Sequence, residues 1–507
     1  MPNSSSRSGP TGAGSDFLSL DVAAAPVGGR TTWLADSLRA AIGHGRLRSG
    51  TRLPATRTLA GELGVARGVV VQAYQRLIDE GLVAARTGAG TVVLPVAELA
   101  PSPISSTVPT ETNQPVTESG DEPGDDVPRL PVPVADRDAA DVIDLSPGVP
   151  DLAAFPRAAW LRAERKVLQD LVAADLGYGD PRGSARLRTE LSGWLARNRG
   201  VRAEPAQILI VAGVAQALAL LAQTLRAQGA TTLAVEDPGS RGAREQMLHW
   251  GLQPVPIPVD EHGLQVTALA RTDVTAAVLT PAHHFPTGVV LSPSRRRALL
   301  EWAGAGRLII EDDYDAEHRY DRAPVRALQP SAPDRVAHTG STSKTLAPGM
   351  RLGWLVPPAD RYSDLVAARH DSDLGSPALP QLVLAELLAS GAYDRHLRLV
   401  RNRQRRRRDA ILSALAEHLP GARVEGAAAG LHLLISLPGL PIETDDTELA
   451  AAIRHAGVRV HPLSWHRIRP GPPGLVLGYA AHPPDRLRHA VQRMAAALPM
   501  ALCRPSI

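Results

Sequence analysis

Apolar and polar positions change their period several times along the chain, and each change marks an element. Residues 1–29 are rich in Ser, Gly and Ala, hold no periodicity and read as a tail. From Thr31 the apolar positions of WLADSLRAAI recur at helical spacing. After the turn GRLRSGTRLP come a short helical run, TRTLAGEL, a break at Gly64, and a longer run, ARGVVVQAYQRLIDEG. An extended pair ending in RTGAGTVV closes the block, so residues 30–95 predict three helices and a β wing. Residues 96–141 turn to Pro, Thr, Ser, Val and acids, a flexible linker that stiffens where prolines cluster, as in LPVPVAD. From 142 to 501, short β-branched runs (QILIVAG, TTLAVEDPG, VTAAVLTP, RLIIEDDYD, RVAHTGS) alternate with helical patterns. That alternation predicts a largely parallel sheet with helices on both faces. A long helical stretch, about 379–419, then leads to GLHLLISL, VRVHPL and GLVLGYA, read as strands of a smaller lobe. The expected fold is multi-domain, an α+β head followed by an α/β domain with a large and a small lobe.

Composition narrows the chemistry. None of the 507 residues falls in an apolar run near the roughly 20 needed to span a bilayer, and the N-terminus shows no secretory h-region. The expected location is cytoplasmic, with no membrane partner. Cys503 is the sole cysteine, which excludes an internal disulfide framework and a cysteine-based zinc site. A formal charge of +3 is too small to argue for nucleic acid on totals, so that case rests on a local element. Of the 55 basic residues only Lys166 and Lys344 are lysines. A chain this averse to lysine keeps one where arginine fails, because a guanidinium is never neutral and forms no Schiff base.

The head has the layout of a DNA reader. In a helix-turn-helix the second helix enters the major groove with its N-terminal residues at base edges and phosphates. Here that helix begins near Ala66, so Arg67 can fork onto guanine or a phosphate. Arg57 on the preceding helix can reach the backbone, and Gly88 at the wing tip permits close approach. RLPATRTLAGELGVARGVVVQAYQRLIDEGLVAARTGAGTVV resembles the winged helix-turn-helix of GntR-family regulators almost end to end. The resemblance assigns double-stranded DNA as partner and Arg57, Arg67 and Gly88 as contacts. The family's Ser-Arg-Asn-Thr-Val type run is replaced by ARGVV, which removes polar side chains at Ala66, Gly68 and Val69. The other reading of these three helices is a small dimerisation module.

Lys344 lies in a Ser/Thr/Gly-rich loop, HTGSTSKTLAPGMRLGW, after an expected strand, where an amine faces the crevice at the carboxyl end of a sheet. Pyridoxal phosphate needs a lysine, a carboxylate on the ring nitrogen, a donor to the ring hydroxyl and a phosphate cradle. Asp312, at the mouth of an apolar strand, supplies the carboxylate, and Tyr314, two residues on and on the same side, the hydroxyl partner. Arg351 can fork onto the phosphate, Ser341 adds a hydroxyl, and Gly213, Val214 and Ala215 offer backbone N–H groups at a helix start. Asp312, Asp313 and Asp315 could alternatively hold a hard cation. His283 and His284 face opposite sides of an extended chain, which sets against a shared metal. Lys166 reads as a helix-surface residue, and Arg405 to Arg408 as either a solvated helix surface or a nucleic-acid patch.

The series YGDPRG, VAGVAQAL, EDPGSRGAR, TPAHHFPTG, EDDYDAEHRY and GSTSKTLAPGMRLGW is similar to the fold-type-I aminotransferase domain of MocR-type regulators. With the GntR-like head, everything but tail and linker resembles one such protein. The resemblance implies pyridoxal 5'-phosphate bound as an aldimine on Lys344, held by Asp312, Tyr314, Ser341 and Arg351. It also implies a homodimer with shared cofactor sites, Tyr178 reaching the partner's phosphate. Two positions depart from it: Ser240 stands where an aromatic stacks on the ring, and Leu475 about where substrate-using enzymes carry a carboxylate-binding arginine. Arg467 or Arg469 could stand in for that arginine. The expected function is a DNA-binding regulator that senses an amine, an amino acid or pyridoxal phosphate itself. Its rivals are a working aminotransferase with a DNA-binding head and a repressor that uses the large domain only to dimerise.

Overall fold

In the computed structural model the described residues are 25, 30–43, 46–79, 82–86, 90–93, 142–304, 306–315, 317–320, 325–426 and 429–498. The linker, Gly88, Cys503 and all of the tail except Ala25 lie outside them. The chain divides into two units, Met1–Asp141 and Val142–Ile507. In the first, α1 (Arg30–Gly43), α2 (Thr56–Glu62) and α3 (Arg67–Asp79) precede an antiparallel hairpin of β1 (Val83–Arg86) and β2 (Gly90–Val93). The helical spacing read from the sequence places Leu34, Leu38, Leu59, Val70, Leu77 and Val83 in one core. Gly64 takes φ +59° between α2 and α3, the left-handed turn that the expected break requires. The Tyr74 hydroxyl donates to the Pro54 carbonyl at 2.9 Å and ties α3 to the residues before α2.

The second unit opens with β3 (Ile143–Asp144), α4 (Arg157–Asp170) and α5 (Ala185–Arg199). Then follow β4 (Leu209–Val211), α6 (Val214–Ala227), β5 (Thr232–Asp237), α7 (Arg241–His249), β6 (Gln253–Asp260) and β7 (Gly263–Leu264). After α8 (Val266–Leu269) come β8 (Ala276–Leu279), α9 (Pro293–Ala303), β9 (Leu308–Asp313), β10 (Val336–Ser341) and β11 (Gly353–Val356). Eight strands make one sheet in the order β4-β11-β10-β9-β8-β5-β6-β7. It is largely parallel, as the pattern predicts; β11 runs antiparallel to β10 and β4, and β7 antiparallel to β6. Buried Leu218, Leu221 and Met247 of the helices pack with Leu209, Leu233 and Ile310 on one side, while Leu269, Leu299 and Trp302 pack with Ala277 and Ile309 on the other. Strands buried on both faces need no polar alternation, which explains the continuous apolar runs.

After α10 (Tyr362–Asp373) the long helical stretch is two helices, because Gly391 at φ +66° separates α11 (Ala378–Ala389) from α12 (Ala392–His418). The small lobe then follows with β12 (Arg423–Glu425), β13 (His432–Ser436), α13 (Asp446–His455), β14 (Val458–Arg459), β15 (His461–Pro462), β16 (Gly474–Gly478) and α14 (Pro484–Ala497). β12-β13-β16-β15 form its sheet, and the leading strand β3 pairs in parallel with β14. The arginine run splits along α12. Arg405 and Arg406 are exposed, Arg407 is buried on Asp151 at 2.8 Å, and Arg408 lies 4.8 Å over the Tyr320 ring. The run is therefore not a uniformly solvated face, since a helix turns its fourth arginine and its third in different directions.

Candidate cofactor site and DNA-reading surface

Register across the sheet assembles the first part of the site. Val211, Gly353 and Ser341 pair in one row across β4, β11 and β10, and Asp312 of β9 pairs with Thr339 of β10. The carboxyl ends of β4, β9 and β10 and the start of β11 thus share one sheet edge. A Cβ on Gly353 would stand 2.8 Å from the Gly213 Cα, so the turn before α6 packs against this row. Gly213 holds φ +95° and ψ 173°, and a Cβ there would lie 3.4 Å from both terminal nitrogens of Arg351. Arg351 itself adopts φ +50° and donates to the Ala212 carbonyl, which brings its guanidinium to the first turn of α6. Val214 and Ala215 open that helix, where backbone N–H groups have no intrahelical acceptor. Ser341 is buried, its hydroxyl accepting from the Ser343 N–H at 3.4 Å.

The second part is a cleft of about 240 Å³ lined by Lys344, Asp312, Tyr314, Ser240, Phe285 and His432, among others. Lys344 donates to the Gly148 carbonyl at 2.5 Å. Burial pulls its amine below the usual lysine range against the attraction of Asp315 and Asp312. A larger neutral fraction makes it a better nucleophile toward an aldehyde. Asp312 is pushed up to about 7, first by burial and then by Asp313 and Asp315, and its Oδ1 is buried without a hydrogen-bond partner. An acceptor without a donor, in a cleft that also holds the Lys344 amine, fits a ring nitrogen that brings its own proton. Tyr314 is raised well above 10, mostly by burial.

The three neighbouring aspartates do not converge. Asp313 turns away onto buried Arg199, which forks onto both its oxygens at 2.6 and 2.8 Å. Asp315 pairs with His283 at 2.9 Å. His284 faces Thr287 at 2.7 Å and Glu236 at 3.5 Å, so the adjacent histidines serve different partners. Glu236 is pushed up to about 8 and His284 down to about 3, both chiefly by burial. Lys166 is a surface residue of α4 bonded to Glu386 at 2.8 Å.

Ser240 caps α7, its hydroxyl accepting from the Ala243 N–H at 3.3 Å, and Phe285 is the ring that lines the cleft nearby. Leu475 packs into the small-lobe core, whereas its neighbour Val476 packs with Leu434 and Leu463 beside Phe285. The strand pleat therefore turns Val476, not Leu475, toward the cleft side. Arg467 bonds the Pro472 carbonyl and Arg469 the Pro256 carbonyl. Tyr178 stands apart from the cluster, 95% exposed, on a separate concave surface formed with Leu176, Leu374 and Pro377. The sequence pattern did not mark Gly148, His432 or Phe285 as cleft residues, nor the Asp315–His283 pair behind Tyr314. TPAHHFPTG and GLHLLISL held two of these histidines in view, but only tertiary structure brings them to Lys344.

On the head, Arg67 is the first residue of α3 and Arg57 lies on α2; both are exposed. Gly68, Val71 and Gln72 extend the exposed face of α3.

Comparison with known proteins agrees with both halves. Residues 31–93 match the family of bacterial regulatory proteins, gntR family, and residues 140–494 match aminotransferase class I and II. The pyridoxine biosynthesis transcriptional regulator PdxR of Corynebacterium glutamicum is 34% identical over 461 residues, 90% of this chain and 93% of that protein. The chain belongs to the MocR-type transcriptional regulators. The probable rhizopine catabolism regulatory protein MocR of Rhizobium meliloti is 31% identical, with 92% of each chain covered. The multiple substrate aminotransferase of Thermococcus profundus superimposes with a TM-score of 0.65 at 26% identity, over 71% of this chain and 91% of that one. This MocR-type regulator therefore joins a GntR winged helix-turn-helix to a fold-type-I domain whose family depends on pyridoxal phosphate. No described helix is long and apolar enough to cross a membrane.

Proposed function

We propose that the protein is a cytoplasmic, homodimeric regulator that binds operator DNA through its head and holds pyridoxal 5'-phosphate at Lys344, where the cofactor or an amine reacting with it is the signal. The observation that carries this reading is the pairing, in one cleft, of a lysine with a lowered pKa and an aspartate with a raised one whose Oδ1 is buried without a hydrogen-bond partner. Bound pyridoxal phosphate supplies an aldehyde for amines and an electron-withdrawing ring. Asp312 would hold the ring nitrogen, and Arg351, Ser341 and the first N–H groups of α6 the phosphate. Phe285 would lie against the ring where Ser240 is committed to capping α7.

Val476 and the committed arginines 467 and 469 favour ligand sensing over turnover of ordinary amino acids, because no guanidinium among the cleft residues grips a carboxylate. Exposed Leu176 beside Tyr178, with Leu161, Leu168 and Val172 also exposed on and just after α4, supports a second copy covering this part of the chain. Arg57 and Arg67 would make the DNA contacts, with Gly88 at the wing tip. The deciding experiment is the visible spectrum of the purified protein with added pyridoxal phosphate, before and after borohydride. A reducible band in the wild type that Lys344→Ala abolishes is the expected result; no band in the wild type would overturn the cofactor reading.

A further inference from the structure

His432 is the polar cleft residue to which the proposed cofactor contacts give no role. It opens β13 of the small lobe, and its ring is fixed on two sides, by Phe285 at 4.9 Å and by His283 at 5.0 Å between ring centroids. Its Nε2 lies 3.2 Å from the Pro286 carbonyl. A carbonyl oxygen only accepts, so Nε2 carries the proton, and a neutral imidazole then has a bare acceptor at Nδ1. Burial keeps the ring neutral near pH 7 by pushing it down to about 3. Among the described residues nothing bonds Nδ1, and the atom is not sealed away as the unpartnered Nε2 of His283 is. The residues of the cleft therefore present two acceptors without donors, Asp312 Oδ1 and His432 Nδ1.

The ring nitrogen of pyridoxal phosphate answers Asp312, which leaves the acceptor on His432 for a second molecule. We propose that His432 Nδ1 accepts a hydrogen bond from the ligand whose amine reacts at the cofactor, and that this ligand is an amino alcohol, with a hydroxyl close to its nitrogen, rather than an α-amino acid. The proposal rests on the reading above that pyridoxal phosphate occupies the cleft. The ligand nitrogen would replace that of Lys344 on the aldehyde carbon: one C=N bond forms, one breaks, and Lys344 regains as amine protons the two that the ligand nitrogen loses. An α-amino acid places a carboxylate beside that nitrogen. Here the carboxylate would meet the Nδ1 lone pair, and the acidic groups around the cleft, Asp312, Asp315 and Glu236, bring no positive charge to hold it. A hydroxyl in the same place donates to Nδ1 with no charge to bury. The cleft is only about 240 Å³, so the hydroxyl has to lie close to the reacting nitrogen.

The first measurement needs no cofactor. In protein labelled with 15N at histidine, His432→Asn removes one of the 16 imidazole spin systems and so assigns it. His432 should show a protonated Nε2 and an unprotonated Nδ1 near pH 7. A proton on Nδ1 would overturn the role given to His432, whether or not the cofactor binds.

The second measurement uses the full chain loaded with pyridoxal phosphate. Its visible band is titrated with alaninol, isopropylamine and alanine, which share a carbon skeleton, and each midpoint is corrected by the reaction of the same amine with pyridoxal phosphate in solution. Alaninol should bind about threefold to tenfold more tightly than isopropylamine, the worth of one neutral hydrogen bond, and alanine more weakly than either. His432→Phe should bring the ratio of alaninol to isopropylamine to about one, whereas His432→Asn, whose side-chain carbonyl can stand in for Nδ1, should keep part of the preference. Equal binding of alaninol and isopropylamine by the wild type, tightest binding of alanine, or a ratio that His432→Phe leaves unchanged would each overturn the proposal. Should His432→Phe not fold, the wild-type ratios decide. A wild type that shows no band refutes the cofactor reading and the ligand class with it, while the imidazole nitrogens still settle whether His432 offers an acceptor.

Discussion

The unpartnered carboxylate of Asp312 should cost the empty protein stability, and by an amount that depends on pH in a definite direction. A rise from the ordinary 3.8 to about 7 places a penalty of about 4 kcal/mol on the ionised form in the folded state. Because the folded carboxyl keeps its proton to higher pH than the unfolded one, the folded state binds more protons between about pH 4 and pH 7. Stability therefore falls as pH rises through that window, and the penalty is complete above it. Asp312→Asn is nearly isosteric and removes the ionisation. The variant should be more stable than the wild type without cofactor, and its advantage at pH 8 should exceed that at pH 5 by about 2–3 kcal/mol. Urea unfolding at the two pH values, followed by tryptophan fluorescence, measures this; six of the seven tryptophans lie in the second unit. Saturating pyridoxal phosphate should reverse the order at pH 8, since a protonated ring nitrogen pairs with Asp312 and not with Asn. An advantage of the variant that does not change with pH, or a variant less stable at pH 8 without cofactor, would refute the reasoning.

Three further outcomes follow from the geometry. Arg199→Met leaves Asp313 buried without its fork and should cost about 3–5 kcal/mol, whereas Arg199→Met with Asp313→Leu should recover most of that, both read from urea midpoints. Gly213→Ala forces a side chain into a backbone region reserved for glycine and narrows the space under Arg351. It should cost about 1–3 kcal/mol, and equilibrium titration should show pyridoxal phosphate affinity falling about tenfold or more. Arg67→Ala should weaken operator binding by about tenfold or more in a gel shift at fixed salt; unchanged binding would remove α3 as the reading helix.

Period and spacing carried the strand ends, because alternate strand residues share a face whatever the fold. The two-residue step from Asp312 to Tyr314 was legible for the same reason. β6 was not, since Pro254, Pro256 and Pro258 argue against a strand in the reading of a single segment. It tolerates them because it has β5 on one side and only two-residue β7 on the other, and alternate positions turn their missing N–H groups the same way. Leu475 against Val476 was a one-residue ambiguity, which in a strand reverses the face. Gly148 and His432 lie far from Lys344 in sequence, and no local pattern links a carbonyl oxygen or a strand-end histidine to a distant amine.

The stretch from Ile143 to Asp151 is fastened at both ends, to β14 through backbone pairing and the Asp144–Arg459 pair, and to α12 through Arg403 and Arg407. Between these anchors its Gly148 carbonyl is held by the amine of Lys344. An amine nitrogen consumed by an aldehyde no longer has the same protons to give. Loss of that donor would free the Gly148 carbonyl at the midpoint of a segment whose two ends stay fastened, in the first residues after the linker.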